Sequence, residues 1–144
     1  MAVYTTLTRL KKYLDVNTII QLTDDHNTKA IVQEIVDEKI LMSTAEIDSY
    51  MRGRYPVEID DIDDVPEMIQ NICTILTADK LYQRRLALTL PPSIERDYKL
   101  VIQQLKDIQS GKISPYPAED EPTVSISNKT SDDRTYTSTV WDTY

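Results

Sequence analysis

The chain has 144 residues and a formal net charge of −8, which argues against binding nucleic acid through a generally basic surface. With two glycines, one histidine and one cysteine, the composition excludes a glycine-rich phosphate loop, an internal disulfide and a cysteine-based zinc site. This length is typical of one domain with its own core. No apolar run approaches the roughly 20 residues that cross a bilayer, so the sequence predicts no membrane association. The cysteine, Cys73, lies in an apolar helical pattern and is predicted to be core.

The first part of the chain predicts a short helix followed by a single helical turn. Thr6, or its neighbour Thr5, is expected to be the N-cap of the helix. Asn17 is expected to cap the turn, and the polar segment 23–28 breaks the pattern. The apolar face of the helix is formed by Leu7, Leu10 and Leu14.

The longest helix is predicted from about Thr28 to Arg52. Gly53 is expected to end it in the left-handed conformation, because glycine adopts that conformation without steric cost. The following turn presents Arg54 and Tyr55, which either pin the helix end to the next helix or contact another subunit. The buried face of the helix is predicted to be Val32, Val36, Ile40, Ser43, Ile47 and Met51.

The segment 57–67 is acidic and contains no basic residue. Its spacing lacks the central glycine and closing glutamate of a calcium-binding loop, so a solvated loop is preferred to a metal site. Asp64 and Glu67 are expected to form a capping box for the next helix. The acidic residues are Glu58, Asp60, Asp61, Asp63, Asp64 and Glu67.

One position in the third predicted helix conflicts with its apolar pattern. Asp79 stands where an apolar side chain is expected, and a buried carboxylate needs a partner. We therefore expect it to pair with Arg52, Arg54 or a backbone donor of the turn between them. Arg84 and Arg85 end the helix with positive charge, which suits the helix dipole. The apolar pattern consists of Val65, Met68, Ile72, Ile75, Tyr82 and Leu86.

A fourth helix opens at Pro91 and Pro92 and ends at Gly111. Its apolar face is predicted to be Ile94, Tyr98, Val101, Leu105 and Ile108. The sequence therefore predicts an all-α fold: a compact bundle of about four helices, with one long central helix, over residues 1–114.

Residues 115–144 are predicted to form an extended C-terminal arm that can form strands. They carry three prolines and no helical pattern, so they cannot bury enough apolar surface to order themselves alone. Aromatic and β-branched residues near the end of a chain are typical of binding segments. We expect the arm to bind a partner, with a featureless linker as the alternative. The candidate binding residues are Val124, Ile126, Tyr136, Val140, Trp141 and Tyr144.

The order of these motifs resembles the small helical head–tail connector proteins (adaptor or head-completion proteins) of long-tailed bacteriophages, including the Mu-like type. The resemblance covers residues 4–113 and is carried above all by AEIDSYMRGRY at 45–55, LYQRR at 81–85 and SGKI at 110–113. It implies a non-enzymatic virion protein that forms a ring, expected to be a dodecamer, between the portal protein and a tail-completion or stopper protein. Packaged DNA would pass through the channel of this ring without specific binding.

The resemblance also implies a place and a set of contacts. The protein would lie in the virion neck, and in the host cytoplasm during assembly. Ring contacts join different faces of neighbouring copies. The alternatives are a tail-completion or capsid-associated protein, or a helical binding module that uses its arm as a ligand. No catalytic, cofactor-binding or metal-ligating residue is predicted. The candidate oligomer interface consists of Arg52, Arg54, Tyr55, Glu58, Asp60, Asp61, Asp63, Arg84 and Arg85.

Overall fold

The computed structural model describes residues 2–117. Over this range the chain is all-helical, which confirms the predicted fold class. It contains five α-helices and one 3₁₀ turn, and α4 packs against each of the other four helices. In chain order the elements are α1 (Leu7–Tyr13), α2 (Val16–Thr23), α3 (Gln33–Met51), the 3₁₀ turn (Ile62–Asp64), α4 (Glu67–Arg84) and α5 (Pro92–Ser110).

The first two helices begin at side-chain caps. Thr6 caps α1 by accepting a hydrogen bond from the backbone N–H of Arg9 at 3.3 Å, as predicted. The cap of α2 is Asp15, whose carboxylate accepts from the N–H of Asn17 at 3.1 Å. The prediction that Asn17 is the cap is therefore wrong, because an aspartate in extended conformation stands two positions earlier.

The third helix begins at Gln33 rather than at Thr28 because the preceding loop has its own hydrogen bonds. The carboxylate of Asp24 accepts from the N–H groups of His26, Thr28 and Lys29, at distances between 2.7 and 3.2 Å. Such local acceptors compete with helix formation. Val32 precedes the helix and is only partly buried. The rest of the predicted buried face of α3 is confirmed by the burial of Val36, Ile40, Ser43, Ile47 and Met51.

The end of α3 differs from the prediction. Gly53 does not have a positive φ. Instead, the N–H groups of Arg54 and Tyr55 both donate to the carbonyl of Met51, each at 2.9 Å. The chain therefore leaves the helix through a tight turn that needs no left-handed residue at Gly53.

Two details of α4 also differ. Pro66 precedes the helix without a side-chain cap, so the predicted capping box of Asp64 and Glu67 is wrong. Asp61 instead caps the 3₁₀ turn. Leu86 does not continue the apolar face, because Arg85 has already left the helical conformation, and 96% of Leu86 is exposed. The residues that bury the helix are chiefly Ile69, Ile72, Cys73, Leu76 and Leu81.

The prediction for α5 is confirmed at both ends. The helix begins at Pro92 and is followed by Gly111, whose φ of 82° is left-handed. The side chains of Ile94, Val101, Leu105 and Ile108 are buried. Ile94 packs in one cluster with the end of α4, whereas Ile108 packs in a second cluster with the beginning of α4. The helices α4 and α5 are therefore antiparallel.

Hydroxyl groups separate these two apolar clusters where α3 crosses α4. The Thr77 hydroxyl lies 3.1 Å from that of Ser43, and the Thr44 hydroxyl lies 3.7 Å from the sulfur of Cys73. We name Ser43, Thr44 and Thr77 the hydroxyl layer. Cys73 is fully buried, as predicted, and burial raises its pKa to about 12. The apolar clusters and the hydroxyl layer together set the position of α4 on α3.

Candidate subunit interface

One end of the bundle carries the acidic segment, and we name residues 52–66 and 111–117 the acidic end. Val57 and Ile59 pack against the core, whereas Glu58 and Asp60 between and beside them are exposed. The buried phenol of Tyr4 accepts from the N–H of Ile59 at 3.4 Å and donates to the carboxylate of Asp48. Burial and this carboxylate hold the pKa of Tyr4 well above its usual value. The segment is thus anchored through alternate residues while its carboxylates face outward.

Arg54 and Tyr55 tie this turn to the end of α5. The Arg54 guanidinium donates from Nε to the carbonyl of Gln109 at 2.9 Å and from Nη2 to that of Ser110 at 3.2 Å. It thereby satisfies two carbonyls that a helix end leaves without partners. The rings of Tyr55 and Tyr116 lie 5.7 Å apart. Arg54 is therefore pinned to α5 rather than to the next helix, and contact of these residues with another subunit stays a prediction.

The opposite end of the bundle is held by Arg84 and Arg85, and we name residues 22–32 and 84–90 the clamped end. Arg84 donates to the carbonyl of Leu22 at 2.9 Å and to the carboxylate of Asp25. Arg85 donates to the carbonyl of Asp24 at 2.7 Å and lies 2.8 Å from the Asp25 carboxylate. The Arg84 hydrogen bond is the main cause that lowers the pKa of Asp25.

The candidate interface residues therefore fall into two groups at opposite ends of α4. Arg52, Glu58, Asp60, Asp61 and Asp63 are exposed at the acidic end, whereas the two arginines of the clamped end contact their own chain. The role of all these candidate residues in contacts between subunits stays a prediction. The six candidate arm residues lie outside the described range.

The predicted partner of Asp79 is wrong. Asp79 is 3% exposed, and its carboxylate accepts from the side-chain amide of Gln83 at 2.6 Å. Burial raises its pKa. Arg52 and Arg54 follow Met51, which packs in the same cluster as the start of α4. They cannot reach Asp79 because it lies in the second half of that helix.

The acidic end carries a groove. This groove, of about 680 Å³, lies between the start of α4 and residues 115–117, and Asp63, Asp64 and Tyr116 are among its lining residues. Within residues 2–117, no three histidine, cysteine, aspartate or glutamate side chains are grouped so that they could hold a metal ion. The described helices include none that is long and apolar enough to span a membrane.

Sequence signals for these contacts were weak. The partners of Arg54, Arg84 and Arg85 include backbone carbonyls more than fifty residues away, and any residue type supplies such an acceptor. Only the identity of Asp25 and the pairing of its charge with two arginines could have suggested the clamped end.

Comparison with known proteins supports a viral origin. The sequence model of one protein family, described as Bacteriophage Mu, Gp36, matches residues 4–132. No curated protein matches the chain. The match covers most of the 144 residues and identifies a bacteriophage protein with a structural or assembly role. The chain belongs to the bacteriophage Mu Gp36 family.

Proposed function

We propose that this protein is a head–tail connector, or adaptor, without enzymatic activity. It forms a homo-oligomeric ring, a dodecamer, between the portal protein and a tail-completion or stopper protein. The ring extends the DNA channel and offers the tail a docking surface. The protein is located in the virion neck, and in the host cytoplasm before assembly.

The acidic end is the observation that carries this proposal. Its carboxylates are exposed on a segment that Tyr4 and the side chains of Val57 and Ile59 hold in place. In a head-to-tail ring, such an exposed acidic segment can meet the cations of the neighbouring subunit. The net charge of −8 supports the same role, because acidic surface that faces a channel repels DNA phosphates and lets a genome move past without binding. Membership of a bacteriophage family supports it as well.

The extended arm supplies the second part of the proposal. A segment that cannot order itself alone can do so against a neighbouring subunit or the portal protein, for example by adding a strand to a sheet. The candidate anchors remain those near the end of the chain, such as Tyr136 and Trp141.

Quantitative mass spectrometry of purified phage particles tests the proposed function. The ratio of this chain to the portal protein should be close to one, because a connector ring is matched to the portal. Hundreds of copies per particle would instead indicate a capsid or tail-tube component. Absence from every particle would contradict the proposal and favour a helical binding module.

A further inference from the structure

The outer face of α5 combines exposed cations with an exposed leucine. Leu100 is 56% exposed, and the side chains of Arg96 and Lys99 are 71% and 72% exposed. Gln103 and Lys106 continue this exposed face toward the C-terminal end of the helix, at spacings of three or four residues. We name these five residues the α5 outer face. Arg96 and Lys99 lie close to Leu100 along the helix, so this face combines positive charge with apolar surface.

The charges of this face are only weakly held within the chain. Lys99 lies 3.0 Å from Glu95, and Arg96 lies 3.5 Å from Asp97. Such exposed pairs contribute little to stability, so another carboxylate can replace the partner at little cost. These cations differ from Arg54, Arg84 and Arg85, whose guanidinium groups bind carbonyls of their own chain.

The acidic end offers the matching surface. Asp60, Asp63 and Asp64 are exposed, and the nearby side chain of Ile62 is only partly buried. It therefore presents negative charge beside apolar surface, which complements positive charge beside Leu100. In one copy Arg96 and Lys99 lie in the first half of α5, whereas the acidic segment is next to its end. A contact between them that is made once per pair of copies joins the two copies head to tail.

We propose that the α5 outer face docks on the acidic segment of a second copy of this chain. The inference rests on the proposed ring for its biological setting, but it names a contact that the ring itself does not require. The cations of this contact are Arg96, Lys99 and Lys106, none of which belongs to the candidate oligomer interface predicted from the sequence.

Charge exchange between the two surfaces tests the contact. One variant carries Arg96→Glu and Lys99→Glu, a second carries Asp60→Lys and Asp63→Lys, and a third carries all four changes. Phage particles are produced with each variant, and the copies of this chain per portal protein are counted. Circular dichroism of the purified chains verifies that helix content is unchanged.

Each two-residue variant should lower the copy number at least tenfold, because like charges then face each other. The four-residue variant should restore at least half of the wild-type number. A control with Lys11→Glu and Lys12→Glu, which changes the charge by the same amount on the exposed end of α1, should leave the copy number unchanged.

Three results would overturn the contact: wild-type numbers in the two-residue variants, no recovery in the combined variant, or an equal loss in the control. Loss without recovery is also the result expected if the chain's own residues 118–144 or a different protein cover α5. The proposed function is judged separately by the wild-type ratio to the portal. Absence of the wild-type chain from particles would contradict both.

Discussion

The two ends of the bundle are held by different chemistry. At the acidic end, the buried phenol of Tyr4 binds the buried carboxylate of Asp48 and the N–H of Ile59. At the clamped end, two arginines bind backbone carbonyls and also share the exposed carboxylate of Asp25. Buried hydrogen bonds are lost at full cost when one partner is removed, whereas exposed ion pairs are screened by salt. We therefore expect the acidic end to tolerate changes in pH and salt better than the clamped end.

The largest effect is expected from Tyr4→Phe. The change leaves the buried Asp48 carboxylate and the N–H of Ile59 without the phenol, so unfolding free energy should fall by about 2–3 kcal/mol. Urea denaturation measures it. Tyr13→Phe is the matched control, because its phenol donates to the partly exposed Asp97 and should matter less. Equal losses in the two variants would contradict the special role of Tyr4.

A smaller loss is expected from Gly111→Ala. A left-handed conformation costs a residue with a Cβ about 1–2 kcal/mol, and the new Cβ would lie 2.7 Å from Nη1 of Arg54. The same change at Gly53 meets no atom within 4 Å and involves no positive φ. Thermal unfolding of both variants should therefore show a lower midpoint for Gly111→Ala alone. A similar drop for Gly53→Ala would show that the two turns are not distinguished by backbone conformation.

The clamped end should show a dependence of stability on acid pH that comes from Asp25. Because the pKa of Asp25 is lowered from 3.8, its charge stabilises the fold fully above that pH. The contribution is lost as the pH falls through the lowered pKa. Wild type should thus be more stable than Asp25→Asn at neutral pH, and the difference should vanish in acid and shrink in high salt.

Urea denaturation across this pH range measures the difference. Asp64→Asn is the control, since that carboxylate is exposed in the acidic segment and should show no such loss. A constant difference between wild type and Asp25→Asn at all pH values would mean that the carboxylate charge does not hold the clamp.

The smallest effect is expected from Leu86→Ser. This residue is almost fully exposed at the clamped end, so the free energy of unfolding should change by no more than about 0.5 kcal/mol. Leu88→Ser should cost more, because Leu88 packs against the core. A large loss from Leu86→Ser in urea denaturation would show that Leu86 has a contact within the chain.

Features that depend on neighbouring residues in the sequence could be predicted, whereas features that depend on loop hydrogen bonds or on contacts between distant residues could not. The bounds of α5 followed from Pro92 and Gly111, because both residues act on the backbone of their own turn. The start of α3 did not, since the four hydrogen bonds that Asp24 accepts form a loop with no periodic signal. The partners of Arg54 also escaped prediction, because they depend on which helix ends meet. The partner of Asp79 is a local one, since Gln83 lies one turn further along the same helix, and the expectation of an arginine partner overlooked it. The sequence therefore identified which charged residues belong to the candidate surface, but not the groups within the chain that those residues contact.

The hydroxyl layer has a consequence for the size of any assembly. Ser43 and Thr77 lie near the middle of helices with 19 and 18 residues, which at about 1.5 Å per residue extend for about 28 and 27 Å. Their contact opposes sliding of one helix along the other. The acidic end and the clamped end are therefore kept at a constant separation. In a ring of such subunits, that constant separation would set the thickness of the ring.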